Sequence, residues 1–111
     1  MLHGFVAVLL LFGAACTKNS GSSPDSPADR GRRIYQVQCT TCHNPNPALP
    51  GAVGPEIAGS SRELLEPRIL RGEYPTGYKP KRSSKLMAPM PGLAKDLDAL
   101  AAFLQLPESR P

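Results

Sequence analysis

The sequence predicts an all-α fold, with three main helices separated by long irregular segments. Apolar residues recur at helical spacing in three stretches, and no stretch sustains the alternation of a strand. The segments between the helical stretches are rich in proline and glycine, which interrupt regular structure. With 111 residues, no Trp and three Phe, the chain makes one small domain with few large side chains for its core. We therefore expect something other than side chains to fill part of the core, and a cofactor is one candidate.

The N-terminal segment predicts export and a lipid anchor. Residues 5–15 form an apolar run that suits a signal peptide and is shorter than the about 20 residues of a membrane-spanning helix. The run ends in GAAC, which resembles a bacterial lipobox, whose cysteine is acylated and becomes the mature N-terminus. Residues 1–15 are thus the expected signal peptide, and Cys16 the lipidation site on the periplasmic side of a bacterial membrane. Cleavage that leaves Cys16 free is the alternative.

The rest of the chain divides into a tether, a domain and a tail. Residues 16–28 are rich in Ser, Pro and Gly and predict a flexible tether. The domain is expected over residues 29–107, with a short tail at residues 108–111. The formal net charge of +4 suits acidic partners or membrane surfaces. No nucleic-acid partner is expected, because no recognised binding motif accompanies the charge.

The first predicted helix begins near Asp29, as its N-cap, and runs to about Cys42, with Ile34, Tyr35 and Val37 among its apolar residues. The four prolines and three glycines of NPNPALPGAVGPEIAGS then predict a loop wrapped around something. The sequence CTTCH lies where this helix meets the loop.

The second helix is expected after Ser60 or Ser61 as the cap, with Gly72 as its stop and a kink or break at Pro67. The last helix covers LAKDLDALAAFLQL and ends at Pro107. Its apolar side comprises Leu93, Leu97, Leu100, Ala101, Phe103 and Leu104.

Two cysteines at a spacing of three residues occur in zinc sites, in redox disulfides and in sites of covalent haem attachment. A structural zinc site takes four ligands, whereas the mature chain offers Cys39, Cys42 and His43 and would need a carboxylate. A thioredoxin-like pair heads a helix after a strand, but this pair follows a helix in a chain without evident strands. C-x-x-C-H is the attachment signature of a c-type haem, in which the thiols form thioethers and the histidine binds iron. A second axial ligand is then expected from Met87 or Met90.

With these residues in place, residues 28–106 resemble the class I, mitochondrial-type bacterial cytochromes c. The matching segments are GRRIYQVQCTTCH, VGPEIAG and LMAPMPGLAKDLDALAAFL. The resemblance implies a cytochrome c fold around one covalent haem c, with Met87 as the axial methionine. Ala88 stands where the family usually has proline, which keeps Met90 as the alternative ligand.

The resemblance also assigns supporting roles. The backbone carbonyl of Pro55 is expected to accept the N–H of the haem histidine, which fixes that ring. Gly31 and Tyr35 are expected where the first helix crosses the last, near Ala101 and Phe103. Lys79 and Arg82, with Tyr74 and Tyr78, are candidates to bind haem propionates, with a solvated loop as the alternative.

The resemblance implies an electron carrier rather than an enzyme. It would pass single electrons between redox proteins, whose acidic docking surfaces would meet Lys79, Lys81, Arg82 and Lys85. One alternative is a haem subunit held permanently in a larger oxidoreductase. A haem sensor or a peroxidase with a displaceable methionine is another.

Overall fold

The computed structural model describes residues 26–109, in which helices alternate with long loops. Helix α1 spans Pro27–Gln38, α2 spans Arg62–Arg71 and α3 spans Leu97–Leu104. Short 3-10 helices occupy Pro91–Asp96 and Pro107–Ser109. Residues 26–109 contain no strand, and the all-α prediction is confirmed. The predicted signal peptide, Cys16 and most of the predicted tether lie outside the described residues.

Helix α1 begins earlier and ends earlier than the sequence predicted. Its N-cap is Ser26 rather than Asp29, because the Ser26 hydroxyl accepts the Asp29 backbone N–H at 3.1 Å. The same hydroxyl donates to the Asp29 carboxylate at 2.6 Å, and Pro27 suits the first helical position. The helix ends at Gln38 with Cys39 as its C-cap, so the CTTCH motif lies in the turns that follow.

Helices α1 and α3 cross at Gly31. A Cβ atom on Gly31 would lie 1.9 Å from the Ala99 carbonyl oxygen and 2.9 Å from Phe103 Cβ. The Tyr35 and Phe103 rings pack one turn further along, with centroids 5.4 Å apart. The crossing prediction was right for Phe103 and wrong for Ala101. Residues four apart share a helix face, so Ala99 accompanies Phe103 at the crossing, while Ala101 packs at the edge of the core.

Helix α2 is continuous through Pro67, so the predicted break does not occur. A proline removes the hydrogen bond to the carbonyl four residues earlier, which here belongs to exposed Glu63, where water can replace it. The Ser61 hydroxyl caps the helix by accepting the Leu64 N–H at 3.3 Å. Gly72 ends the helix in the left-handed conformation, with φ 72°.

The core is formed by side chains of all three α-helices. Its buried members are Tyr35, Leu65, Ile69, Leu97, Leu100, Phe103 and Leu104. The last helix was predicted to start at residue 93, but its first part is the 3-10 helix, and the α-helical part begins at Leu97. At this junction the buried Asp96 carboxylate pairs with Arg30 of α1. None of the helices described in residues 26–109 is long and apolar enough to cross a membrane.

Candidate functional site

The CTTCH motif forms a tight turn at the end of α1. The Cys39 carbonyl oxygen accepts the N–H of Cys42 at 3.2 Å and the N–H of His43 at 2.9 Å. This turn places both thiols and the imidazole along one cavity, which all three residues line. Cys39 is partly buried and Cys42 is exposed, and burial raises the pKa of the Cys39 thiol to about 11. The two thiols therefore sit in different environments on the same edge of the cavity.

The imidazole of His43 is held on two sides by the loop that follows. Its Nδ1 lies 2.9 Å from the carbonyl oxygen of Pro55, and because a carbonyl only accepts, Nδ1 carries the hydrogen. In the neutral imidazole Nε2 then carries the lone pair, which is the form in which histidine binds a metal. Gly54 packs on the ring so closely that a Cβ atom there would lie 2.4 Å from His43 Cε1. The sequence placed Pro55 beside this histidine, but it gave no sign of the role of Gly54.

Hydrogen bonds fix the path of this proline-rich loop. The Cys42 carbonyl oxygen accepts the N–H of Gly54 at 2.9 Å and that of Val53 at 3.2 Å. Further along, the Gly59 N–H donates to the Leu104 carbonyl oxygen at 2.7 Å, which ties the loop to the end of α3. The loop thus returns to the CTTCH turn and closes one wall of the cavity.

The cavity is about 330 Å³, within the roughly 300–1,000 Å³ of small-molecule and cofactor sites. Much of its wall is aliphatic. The aliphatic lining residues are Val53, Ile57, Leu64, Leu65, Ile69, Leu86, Leu100 and Leu104. Such a wall suits a flat apolar group better than a hydrated ion.

Both candidate methionines reach this cavity. Met87 and Met90 line it together with His43, and both are partly buried against the core. The Met90 N–H also donates to the Ile69 carbonyl oxygen at 2.6 Å, which anchors the segment to α2. Imidazole and thioether groups from segments more than 40 residues apart in the sequence therefore meet at one cavity.

A stack of three side chains forms another part of the wall. The Arg68 guanidinium lies 4.7 Å from the centroid of the Tyr74 ring, which stacks on the Tyr78 ring at 5.2 Å. Arg68 also donates to the Gly72 carbonyl oxygen at 2.7 Å. The sequence indicated the two tyrosines but not Arg68, for which the only signal is an arginine in the last turn of α2 shortly before EYPTGY.

The basic residues predicted around the site divide into two pairs. Lys79 and Lys85 are exposed. Lys81 and Arg82 instead bond to the loop that carries Pro55, Lys81 through the Glu56 carbonyl oxygen at 2.9 Å. Lys81 Nζ also lies 3.4 Å from a Glu56 carboxylate oxygen. The Glu56 pKa is lowered by a hydrogen bond from its own backbone N–H and by the Lys81 ammonium.

This arrangement agrees with a family-model match over residues 26–104, described as cytochrome c oxidase, cbb3-type, subunit III. The chain belongs to this cytochrome c family. A comparison with curated proteins and one with solved structures found no match. The fold is accordingly a cytochrome c fold, and the cofactor of this cytochrome domain is covalently bound haem c.

The residues present suit that cofactor. Cys39 and Cys42 supply the two thiols that covalent attachment needs, and His43 supplies a buried imidazole with a free Nε2. Thioether sulfur is available from the methionines on the same cavity. Bound haem supplies reversible one-electron oxidation and reduction of its iron. The cytochrome domain therefore serves haem-based electron transfer with redox protein partners.

Proposed function

We propose that the chain is a membrane-tethered monohaem cytochrome c of class I type that carries single electrons between redox partners in the bacterial cell envelope. Its anchor would be the lipid on Cys16, on the periplasmic side of a membrane. The observation that supports the carrier most strongly is the meeting of His43 with Met87 and Met90 at one apolar cavity. If His43 and one of these methionines bind the haem iron, no coordination position would remain for a substrate.

The proposed axial ligands are His43 and Met87. The resemblance to class I cytochromes c favours Met87 over Met90. Histidine with methionine raises the reduction potential relative to two histidines. Pro55 and Gly54 would fix the His43 ring, which keeps the ligand in place during oxidation and reduction.

The aliphatic wall would keep water away from the site. A low local dielectric penalises the oxidised, more highly charged state and thereby tunes the potential. The short hydrogen-bonded CTTCH turn and the loop through Pro55 give a site that needs little rearrangement when an electron arrives. These are the properties of a carrier rather than of a catalyst.

Partners would dock near the cavity opening through the basic residues of the loop. Lys79 and Lys85 are exposed and would meet an acidic docking surface, whereas Glu56, 3.4 Å from the Lys81 ammonium, offsets the charge of Lys81. The test is a double variant, Lys79→Gln with Lys85→Gln, in stopped-flow electron transfer with an acidic redox protein. The rate should fall and depend less on ionic strength. An unchanged salt dependence would remove this docking surface.

The absorption spectrum of the holoprotein tests the carrier proposal itself. A low-spin c-type spectrum with the weak methionine-to-iron charge-transfer band is expected in the ferric state. A high-spin ferric spectrum, or ready binding of gas or peroxide, would instead support the sensor or peroxidase alternative.

A second candidate is a haem subunit held permanently by a larger oxidoreductase. The family description favours it, since it names a subunit of a cytochrome c oxidase. Affinity purification from gently solubilised membranes separates the two: a stoichiometric large membrane enzyme indicates a subunit, and recovery of the cytochrome alone indicates a carrier.

A further inference from the structure

Two cationic side chains connect the methionine-bearing segment to the loop that follows the CTTCH motif. Arg82 donates through Nη1 to the Val53 carbonyl oxygen at 2.7 Å and through Nη2 to the Gly51 carbonyl oxygen at 3.3 Å. Beside it, Lys81 donates to the Glu56 carbonyl oxygen. Arg82 is partly buried, whereas Lys81 is exposed. The planar guanidinium of Arg82 donates two hydrogen bonds to the backbone and the Lys81 ammonium donates one, so Arg82 is the firmer of the two connections.

The other end of the methionine segment has its own anchor. The Met90 N–H donates to the Ile69 carbonyl oxygen of α2 at 2.6 Å. Between the two anchors, residues 83–89 form no helix or strand, and we call them the methionine strap. All residues of the strap are exposed except Met87, which is partly buried and packs against the core. The strap is therefore held at its two ends, and between them the Met87 side chain packs against the core.

The acceptors of Arg82 belong to the same stretch of loop that holds the histidine. The Val53 N–H donates to the Cys42 carbonyl oxygen at 3.2 Å, and Gly54 packs on the ring of His43. Arg82 thus connects the support of the imidazole directly to the start of the strap.

We propose that Arg82 is a positioning residue that holds the methionine strap closed and keeps Met87 at the cavity opposite His43. This inference rests on the proposed function, in which these two residues are the axial ligands. Without Arg82 the strap has only its Met90 anchor and the weaker Lys81 bond, and segments with few buried contacts open locally at low cost. Met87 would then leave the site more often.

Imidazole is the probe, because it competes with a methionine thioether for ferric haem. Titration of the ferric holoprotein, followed by absorption, should show Arg82→Gln binding imidazole about tenfold more tightly than the wild type or better, as the open state becomes more populated. Lys85→Gln is the matched control: it likewise removes one positive charge, three residues from Arg82, and among the described residues Lys85 has no hydrogen bond or ion pair. Arg82→Lys keeps one donor and should lie between the two. Equal affinities for Arg82→Gln and Lys85→Gln would overturn the proposal.

Hydrogen exchange of the same holoproteins provides a readout that does not depend on the methionine ligand. The hydrogen-bonded amides at the two sides of this connection, those of Val53, Gly54 and Met90, should exchange faster in Arg82→Gln, while those of α1 should keep the wild-type rate. Unchanged exchange of these three amides would also overturn the proposal. A wild type that lacks the methionine-to-iron band would instead count against the proposed ligation, and the exchange result alone would then decide the role of Arg82.

Discussion

The Nδ1 atom of His43 lies 2.9 Å from the carbonyl oxygen of Pro55, although the two residues are separated by a loop with no regular secondary structure. The intervening backbone turns back because the Cys42 carbonyl oxygen accepts the N–H groups of Val53 and Gly54. The loop therefore delivers both an acceptor for the imidazole and a side-chain-free surface for its ring. The orientation of the haem histidine is set by this loop rather than by a helix.

The first prediction concerns Gly54. In Gly54→Ala the new Cβ atom would lie 2.4 Å from Cε1 and 2.6 Å from Nδ1 of His43, so the ring or the loop must shift and the contact of Nδ1 with Pro55 is disturbed. Disturbed support of a metal-bound histidine typically costs about 10- to 100-fold in affinity or activity, and we expect a comparable loss in yield of low-spin holoprotein. Absorption spectra at equal expression measure it. Gly92→Ala is the control, since a Cβ atom there meets nothing within 4 Å. Equal yields from the two variants would contradict this role for Gly54.

The second prediction separates the two methionines. If Met87 is the axial ligand, Met87→Ala abolishes the weak methionine-to-iron band of the ferric holoprotein and lowers the reduction potential. Met90→Ala should keep the band, because it removes a side chain packed at the edge of the core while its backbone bond to Ile69 remains. Absorption spectroscopy and potentiometry check both variants. The reverse pattern would assign the ligand to Met90.

The local motifs could be predicted from the sequence, because haem attachment requires two thiols and an imidazole within one turn. The methionines could be predicted too, since His3, the other histidine of the sequence, falls in the predicted signal peptide. The contacts of Arg82 with Gly51 and Val53 could not, because they depend on the path of two long loops.

Errors in the predicted helices have local causes. The start of α1 was misplaced because Ser26 and Asp29 are both good capping residues, and only the structure shows that Ser26 caps the helix while Asp29 bonds back to it. Pro67 was expected to break α2, but the carbonyl that loses its partner lies in the exposed first turn. Sequence rules state which positions in a helix a residue prefers. They do not give the free-energy cost of an unfavourable position, which depends on the local surroundings.

The third prediction concerns the crossing of α1 and α3. A Cβ atom on Gly31 would lie 1.9 Å from the Ala99 carbonyl oxygen, and backbone cannot move aside as a flexible side chain can. Gly31→Ala should therefore lower the free energy of unfolding by about 3 kcal/mol, near the upper end for overpacked sites. Denaturant unfolding of the holoprotein measures the change. Gly92→Ala should stay within about 0.5 kcal/mol of the wild type. A Gly31→Ala protein as stable as that control would show that the helices can separate without cost.

The fourth prediction concerns the pH dependence of stability. The Tyr35 side chain is buried and its hydroxyl donates to the Asn44 carbonyl oxygen at 2.6 Å, a bond that the phenolate cannot make. Burial, with a smaller contribution from the Cys39 thiolate, raises the pKa of Tyr35 from 10.0 to about 12. The folded state therefore holds this proton more tightly than the unfolded state does. Its contribution to stability is complete below about pH 10 and is lost as the pH rises toward 12.

Tyr35→Phe tests this origin of the alkaline sensitivity. The variant should be about 1 kcal/mol less stable than the wild type at neutral pH, because it loses one hydrogen bond. The difference should shrink above pH 10, since phenylalanine has no proton to lose. Denaturant unfolding followed by circular dichroism between pH 7 and 11 measures both curves. Attachment of haem to Cys39 removes the contribution of the thiolate to the Tyr35 pKa but leaves the larger contribution of burial. The holoprotein should therefore show the same narrowing of the stability difference above pH 10. Parallel curves across this range would mean that another group controls the alkaline transition.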